Sequence, residues 1–200
     1  VMAVHPEGQT VTVKNLATNE EFTDHYDDLI IATGSSPVRP PIPGINSAKV
    51  MSLWTIPDAD QIKAQVAASK LKKVVVAGGG FIGLELAENL LHLGFEVHLV
   101  EMMDQVLAPL DPEMARLVEA AMTAEGIKLH LKTGVSAFTE NASTLQVSLS
   151  DGTTIETDFA AVAAGVKPNS TLVHGTGIKL GPRGHIIVNP EMSTGVPHIY

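Results

Sequence analysis

Three glycines at fixed spacing, Gly78, Gly80 and Gly83, mark the part of this sequence best suited to binding through the backbone. They sit in Gly78-Gly79-Gly80-Phe81-Ile82-Gly83, directly after the β-branched run Val74-Val75-Val76 and before a segment with helical periodicity. In that order each glycine has its own task. Gly78 permits a tight turn, Gly80 lets a pyrophosphate approach the main chain with no Cβ in the way, and Gly83 lets the helix lie close to the strand. Ala87, one turn on, keeps that contact small. The start of the helix then offers unpaired N–H groups and the positive end of its dipole to phosphate oxygens. The Lys-Ser/Thr pair of a mononucleotide loop is missing. The expected ligand is a dinucleotide, with Phe81 and Ile82 of the loop beside it.

A carboxylate at the end of the next strand would complete such a site, and Glu101 stands there, 18 residues past Gly83. It can accept hydrogen bonds from both hydroxyls of an adenine-bearing ribose and would repel a 2′-phosphate. The residues that follow, Met102, Met103 and Asp104, include no Arg or Lys to hold that phosphate. NADH is expected over NADPH, with Met102 among the residues around it. Glu85 is open to two readings. A Glu in the first helical turn is favoured by the dipole alone, and beside a pyrophosphate it would point away, toward the nicotinamide end.

The composition excludes several other functions. Twenty-two acidic residues against thirteen basic ones leave a net charge of −9, which repels nucleic acid and anionic membranes. The longest uncharged apolar stretches, such as residues 74–84, fall well short of the roughly 20 needed to span a bilayer. There is no cysteine, hence no disulfide, thiolate metal site or catalytic thiol within this chain, and no catalytic residue is assigned. The eight histidines are scattered singly and read as surface residues rather than metal ligands. Residues 1–6 lack a basic segment followed by an apolar core, so a cytoplasmic location is expected.

These residues need elements to hold them. The region 55–69 reads as a helix with Thr55 as N-cap, Asp58 three residues on and Pro57 in the first turn. The helix after the glycine loop carries Ile82, Leu86, Leu90 and Leu93 on one face, and Gly94 stops it. Residues 95–100 form the next strand, so strand, loop, helix and strand make one unit of about 30 residues. Asp111 caps a second helix with Pro112 as its first residue; Met114, Leu117, Val118, Ala121 and Met122 supply its core face, and Gly126 ends it. Ile127, Leu129 and Leu131 alternate as a third strand. A meander follows from Phe138, turning at Asp151-Gly152, and ends in Asp158-Phe159-Ala160-Ala161-Val162-Ala163-Ala164-Gly165.

That ending repeats an earlier one. Asp27 and Asp158, Gly34 and Gly165, and Pro37 and Pro168 share one spacing of 131 residues. Residues 1–31 also read as strands separated by polar turns, closing on Leu29-Ile30-Ile31-Ala32 before Thr33-Gly34. The repeat implies two related α/β units, one of them whole.

On these motifs the chain resembles the FAD-dependent pyridine nucleotide-disulfide oxidoreductases. The residues that carry the resemblance are Tyr26-Asp27-x-Leu29-Ile30-Ile31-Ala32-Thr33-Gly34-x-x-Pro37, the run from Gly78 to Glu88, and Gly165-x-x-Pro168-Asn169. Residues 99–113 are most similar to coenzyme A-disulfide reductases and their NADH oxidase and peroxidase relatives. The resemblance implies a Rossmann-like NAD(P)-binding domain with a parallel sheet and β-meander over residues 47–165. Residues 1–46 and 166–200 are then partial segments of an FAD-binding domain. It implies that Ala32, Thr33 and Gly34 pack against FAD, that Gly165 borders the nicotinamide side and that Glu85 lies near the nicotinamide ring. The family's first Gly-rich motif and its redox cysteine belong upstream of Val1, and its dimerisation domain downstream of Tyr200. The expectation is a fragment of a homodimeric parent, with an exposed apolar patch through which the fragment self-associates. The parent passes hydride from NADH to flavin and on to a disulfide such as coenzyme A disulfide. An NADH oxidase or peroxidase, or a non-catalytic NADH-binding module, are the competing readings.

Overall fold

The computed structural model describes residues 1–200. The chain divides into two compact units, Val1–Ser36 with Val166–Tyr200, and Pro37–Gly165. The first boundary lies at 36/37 rather than at the expected 46/47, because the proline-rich stretch belongs to the second unit. Ile42 and Ile45 join the same apolar cluster as Phe138, the Phe138 N–H donates to the Pro43 carbonyl at 2.8 Å, and the Arg39 guanidinium donates to the carbonyls of Ile45 and Val50.

In the first unit β1 (Ala3–His5), β2 (Thr10–Lys14) and β3 (Glu21–His25) form an antiparallel meander. Val4 and Val11 pack with Val173, Ile178 and Ile199. The strand expected over residues 29–32 is reduced to one parallel bridge, Leu29 to Ile199. Its ladder is real but short: Leu29 donates to the His198 carbonyl and Ile31 to that of Tyr200, at 2.8 and 2.7 Å. Gly34, at φ 68°, then turns the chain into β4 (Ser35–Pro37). Leu16, Phe22 and Ile30 remain exposed in this unit.

The second unit contains β5 (Val50–Met51), α1 (Ile56–Ala68), β6 (Lys73–Ala77), α2 (Phe81–His92), β7 (Glu96–Val100), α3 (Pro112–Glu125) and β8 (Lys128–His130). The meander β9 (Val135–Glu140), β10 (Leu145–Leu149) and β11 (Thr154–Thr157) follows, and β12 (Phe159–Val162) returns to the sheet. The five-stranded sheet has the order β5-β12-β6-β7-β8 and is parallel throughout. This is the α/β, Rossmann-type sheet expected from the β-branched run and the glycine loop. Alternate residues of its strands face two cores. Val74, Val76, Val97 and Leu99 pack beneath the helices with Leu86 and Leu90. Val75, Val100, Ala160 and Val162 pack against Phe138, Leu145, Val147 and Ile155 of the meander.

The helices match in position and differ in the faces they bury. In α1 the capping box forms as read, with Thr55 and Asp58 bonded reciprocally. In α2 the buried stripe is Gly83, Leu86, Ala87 and Leu90, while Ile82 and Leu93 are exposed. Glycine and alanine bring that side of the helix onto the sheet, which rotates the large residues at 82 and 93 outward. In α3 the buried residues are Ala115 and Met122; Met114 and Leu117 are exposed rather than core. Asp111 occupies the N-cap position, but its side chain makes no capping bond. No helix is long and apolar enough to cross a membrane.

Both copies of the repeat follow a three-stranded meander and end at a glycine with positive φ, Gly34 at 68° and Gly165 at 87°. After Gly165 comes β13 (Val166–Pro168), which pairs with β4. Asn169 fastens that pair, accepting from Ser36 Oγ at 2.7 Å and donating from Nδ2 to the Thr33 carbonyl at 3.0 Å. The two aspartates of the repeat differ. Asp27 is exposed, whereas Asp158 is buried and accepts from the backbone N–H groups of Lys70, Leu71 and Lys73 at 2.9, 3.1 and 3.1 Å. Asp158 thereby fixes the loop that delivers β6. Replacing Asp158 by Ala leaves those donors without an acceptor and should cost about 3 kcal/mol, read as a lower urea midpoint; a midpoint unchanged from the parent chain would contradict this role.

Candidate functional site

In a parallel sheet all strands point the same way, so the loops at their C-terminal ends gather at one edge. There the turn after β6 is held by backbone contacts. Gly78, at φ 120°, donates to the Val100 carbonyl at 2.8 Å. A Cβ on Gly78 would overlap the Ala163 carbonyl, and one on Gly83 would overlap the Gly78 carbonyl oxygen. Neither position tolerates a side chain, as the roles of turn and close packing require. Gly80 differs: a Cβ there would meet nothing within 4 Å. Its bareness serves no contact inside the protein and leaves approach to the backbone open from outside. Gly80 is also the N-cap of α2 and supplies no side-chain acceptor, so the first-turn N–H groups stay available to an anion.

Glu101 reaches across this loop. Its Oε2 accepts from the Gly79 N–H at 2.6 Å and its Oε1 from the Met103 N–H at 2.8 Å. The carboxylate is thus oriented by the protein, and each oxygen keeps lone-pair capacity for a hydroxyl donor. A Cβ on Gly79 would lie 3.1 Å from this carboxylate, so Gly79 has a task that the glycine spacing alone did not show. Leu107 is a second residue missed by sequence reading. It adopts φ 48° and donates to the Gly79 carbonyl at 2.8 Å, and no residue type announced this. Ala163, against Gly78 and Gly83, was legible only as part of a strand end.

The other expected positions fall into two groups. Phe81, Ile82 and Glu85 lie on the exposed start of α2. Met102 is 77% exposed and lies against Gly134. Gly165 closes the second unit and accepts from the Val38 N–H at 2.9 Å. Together with Gly78, Gly80, Gly83 and Glu101 these belong to Pro37–Gly165. Ala32, Thr33 and Gly34 belong to the other unit, where Thr33 Oγ1 is engaged by the Asn169 carbonyl at 2.7 Å.

The pattern of the pyridine nucleotide-disulphide oxidoreductases matches residues 1–200. The chain belongs to that family. A coenzyme A disulfide reductase of Staphylococcus aureus is 32% identical over 200 residues, all of this chain and 44% of that protein. The structure of reduced Bacillus anthracis CoADR-RHD superposes with a TM-score of 0.91 at 42% identity, covering 100% of this chain and 36% of that one. A water-forming NADH oxidase from Lactobacillus brevis, bound to NADH, superposes with a TM-score of 0.92 at 32% identity, covering 100% of this chain and 44% of that one. The chain spans less than half the length of these relatives.

This member of the family also carries a polar cluster along the edge of its sheet. His98 and His130 are not scattered surface residues. His98 is buried, its Nδ1 lies 3.0 Å from His130 Nε2, and the rings stack at 5.2 Å. Parallel pairing of β7 with β8 joins residues 32 apart, which sequence spacing cannot show. His98 Nε2 meets Glu96 Oε1 at 2.9 Å, and that oxygen also accepts from Lys128 at 2.6 Å, with Lys73 at 3.3 Å. A carboxylate only accepts, so His98 carries its proton on Nε2 and its Nδ1 accepts from His130. The cluster adjoins the site through the main chain, since the Glu101 N–H donates to the His130 carbonyl at 2.9 Å.

Lys128 above all, then His98, hold Glu96 down to about 2 from 4.5. Burial pushes both imidazoles below their ordinary 6.5. The folded state therefore takes up histidine protons less readily than the unfolded chain. Stability should be full above pH 6.5, decline as pH falls through the histidine range, and decline again below 4.5 as Glu96 titrates toward about 2. Urea midpoints measured from neutral to acid pH, compared with those of a His98→Gln/His130→Gln double variant, check this. The variant should lose the first step and keep the second; identical profiles would refute it.

Proposed function

We propose that this chain is the pyridine-nucleotide-binding part of an FAD-dependent NADH oxidoreductase whose electron acceptor is a disulfide such as coenzyme A disulfide. The single observation that carries the nucleotide reading is the Glu101 carboxylate clamped across the glycine loop. It faces a loop whose middle glycine is bare to the outside, within a family of pyridine nucleotide enzymes. In this reading Pro37–Gly165 is the NAD(P)-binding domain, and Val1–Ser36 with Val166–Tyr200 are segments of the FAD-binding domain.

The residues fit the groups assigned to them. The open N-terminus of α2 and the bare Gly80 would receive the pyrophosphate, and Glu101 the adenosine ribose hydroxyls. Met102, Met103 and Asp104 offer no cation to a 2′-phosphate, which supports NADH over NADPH. Gly34 has open space where a Cβ would stand, which suits the close approach of FAD to Ala32, Thr33 and Gly34. Bound nicotinamide and flavin supply the hydride chemistry between them; the chain's own residues bind and orient the two groups. The chain contains no cysteine, so a redox thiol comes from outside these 200 residues. The likeness to an NADH oxidase keeps oxygen as the second reading for the acceptor.

Calorimetric titration should show tighter binding of NADH than of NADPH. Glu101→Ala should lose about tenfold or more in NADH affinity and narrow that preference. Absence of binding for both nucleotides, or equal affinity for both, would overturn the assignment of the loop and of Glu101.

A further inference from the structure

Trp54 is the chain's one tryptophan, and it lies 44% exposed in the short segment between β5 and α1. With Leu53, Phe81, Ile82 and Glu85 it lines a recess of about 380 Å³. Three large apolar side chains are thus left uncovered together, with one carboxylate and no Lys or Arg among the lining residues. None of the chain's ion pairs includes Glu85. The cation placed over an aromatic ring elsewhere, Lys72 on Phe95, leaves the indole of Trp54 free.

The position of this recess follows from the strand order. Glu101 follows β7, the glycine loop follows β6, and Trp54 follows β5, with β12 between β6 and β5. At a strand spacing of about 4.8 Å, three steps separate the end of β7 from the end of β5 by roughly 14 Å. A dinucleotide with its adenosine ribose at Glu101 and its pyrophosphate over the loop must lay its second ring on the β12 and β5 side. That is the side on which Trp54 stands.

We propose that Trp54 is a positioning and specificity residue for this second ring, and that the recess favours the oxidised, cationic nicotinamide over the reduced, neutral one. The inference rests on the dinucleotide reading given above and goes beyond it. An indole face attracts a positively charged ring, and the unpaired Glu85 carboxylate adds attraction of the same sign. The dihydronicotinamide of NADH carries no ring charge and receives only the apolar share of the contact.

The test compares NAD⁺, NADH and ADP-ribose, which keeps the adenosine diphosphate half and lacks the nicotinamide. Trp54→Ala should weaken NAD⁺ about fivefold to tenfold, weaken NADH less and leave ADP-ribose unchanged, with Trp54→Phe restoring most of the NAD⁺ affinity. In the unmodified chain, which needs no variant to fold, NAD⁺ should quench the single tryptophan and ADP-ribose should not. Unchanged NAD⁺ affinity in Trp54→Ala, a loss shared with ADP-ribose, or a Trp54 emission indifferent to NAD⁺ would overturn the role of Trp54. Equal losses for NAD⁺ and NADH would overturn the preference for the cationic ring. Failure of the unmodified chain to bind even ADP-ribose would instead remove the dinucleotide reading on which this rests.

Discussion

Gly83 lies so close to the Gly78 carbonyl oxygen that any side chain at 83 would overlap it. This one backbone contact fixes where α2 begins relative to the end of β6. The helix cannot be moved outward without losing the burial of Leu86, Ala87 and Leu90 behind it, nor inward past the carbonyl. Its first-turn N–H groups are therefore set above the strand ends by packing, not by a ligand. The contacts of the glycine loop are arranged around that placement. Gly79 comes within reach of Glu101, Leu107 is drawn into the left-handed region to meet the Gly79 carbonyl, and Gly80 is left facing outward.

The carboxylates of the second unit show how local partners decide the work a like group does. Asp158 is buried and spends its oxygens on three backbone N–H groups, which makes it a fastener of the chain. Glu96 gathers two lysines and a histidine at the sheet edge, which makes it a charge centre. Glu101 holds two backbone donors and stays half-buried, which leaves room for a third party. Glu85 is exposed on the first turns of α2 and its carboxylate enters none of the chain's ion pairs, which leaves it facing solvent.

How much of this was legible in the sequence depends on whether the governing contact is local. The strand, glycine loop, helix and strand over residues 73–100 could be read, because glycine geometry and helical period act over short spans. The capping box at Thr55 and the stop at Gly126 were readable for the same reason. The faces of α2 and α3 were read only in part: Gly83, Leu86, Ala87, Leu90 and Met122 are buried as read, but Ile82, Leu93, Met114 and Leu117, which shared the apolar period, are turned outward. The pairing of His98 with His130 depends on parallel register, and the turn at Leu107 on a hydrogen bond to Gly79. Neither contact leaves a mark in residue type or spacing. The boundary at 36/37 was obscured by prolines that look like a linker, in a stretch whose Ile42 and Ile45 in fact join the apolar cluster of Phe138.

The second unit interrupts the first in sequence, and its two ends are bonded to each other through the Val38 N–H and the Gly165 carbonyl. Holding the ends of a free chain of this length together would cost on the order of 4 kcal/mol in closure entropy. Once residues 37–165 fold, that entropy has already been surrendered, and β4 and β13 emerge as near neighbours rather than as distant parts of a polymer. The inserted unit thus brings together the two segments that flank it, converting a long-range strand pairing into a local one.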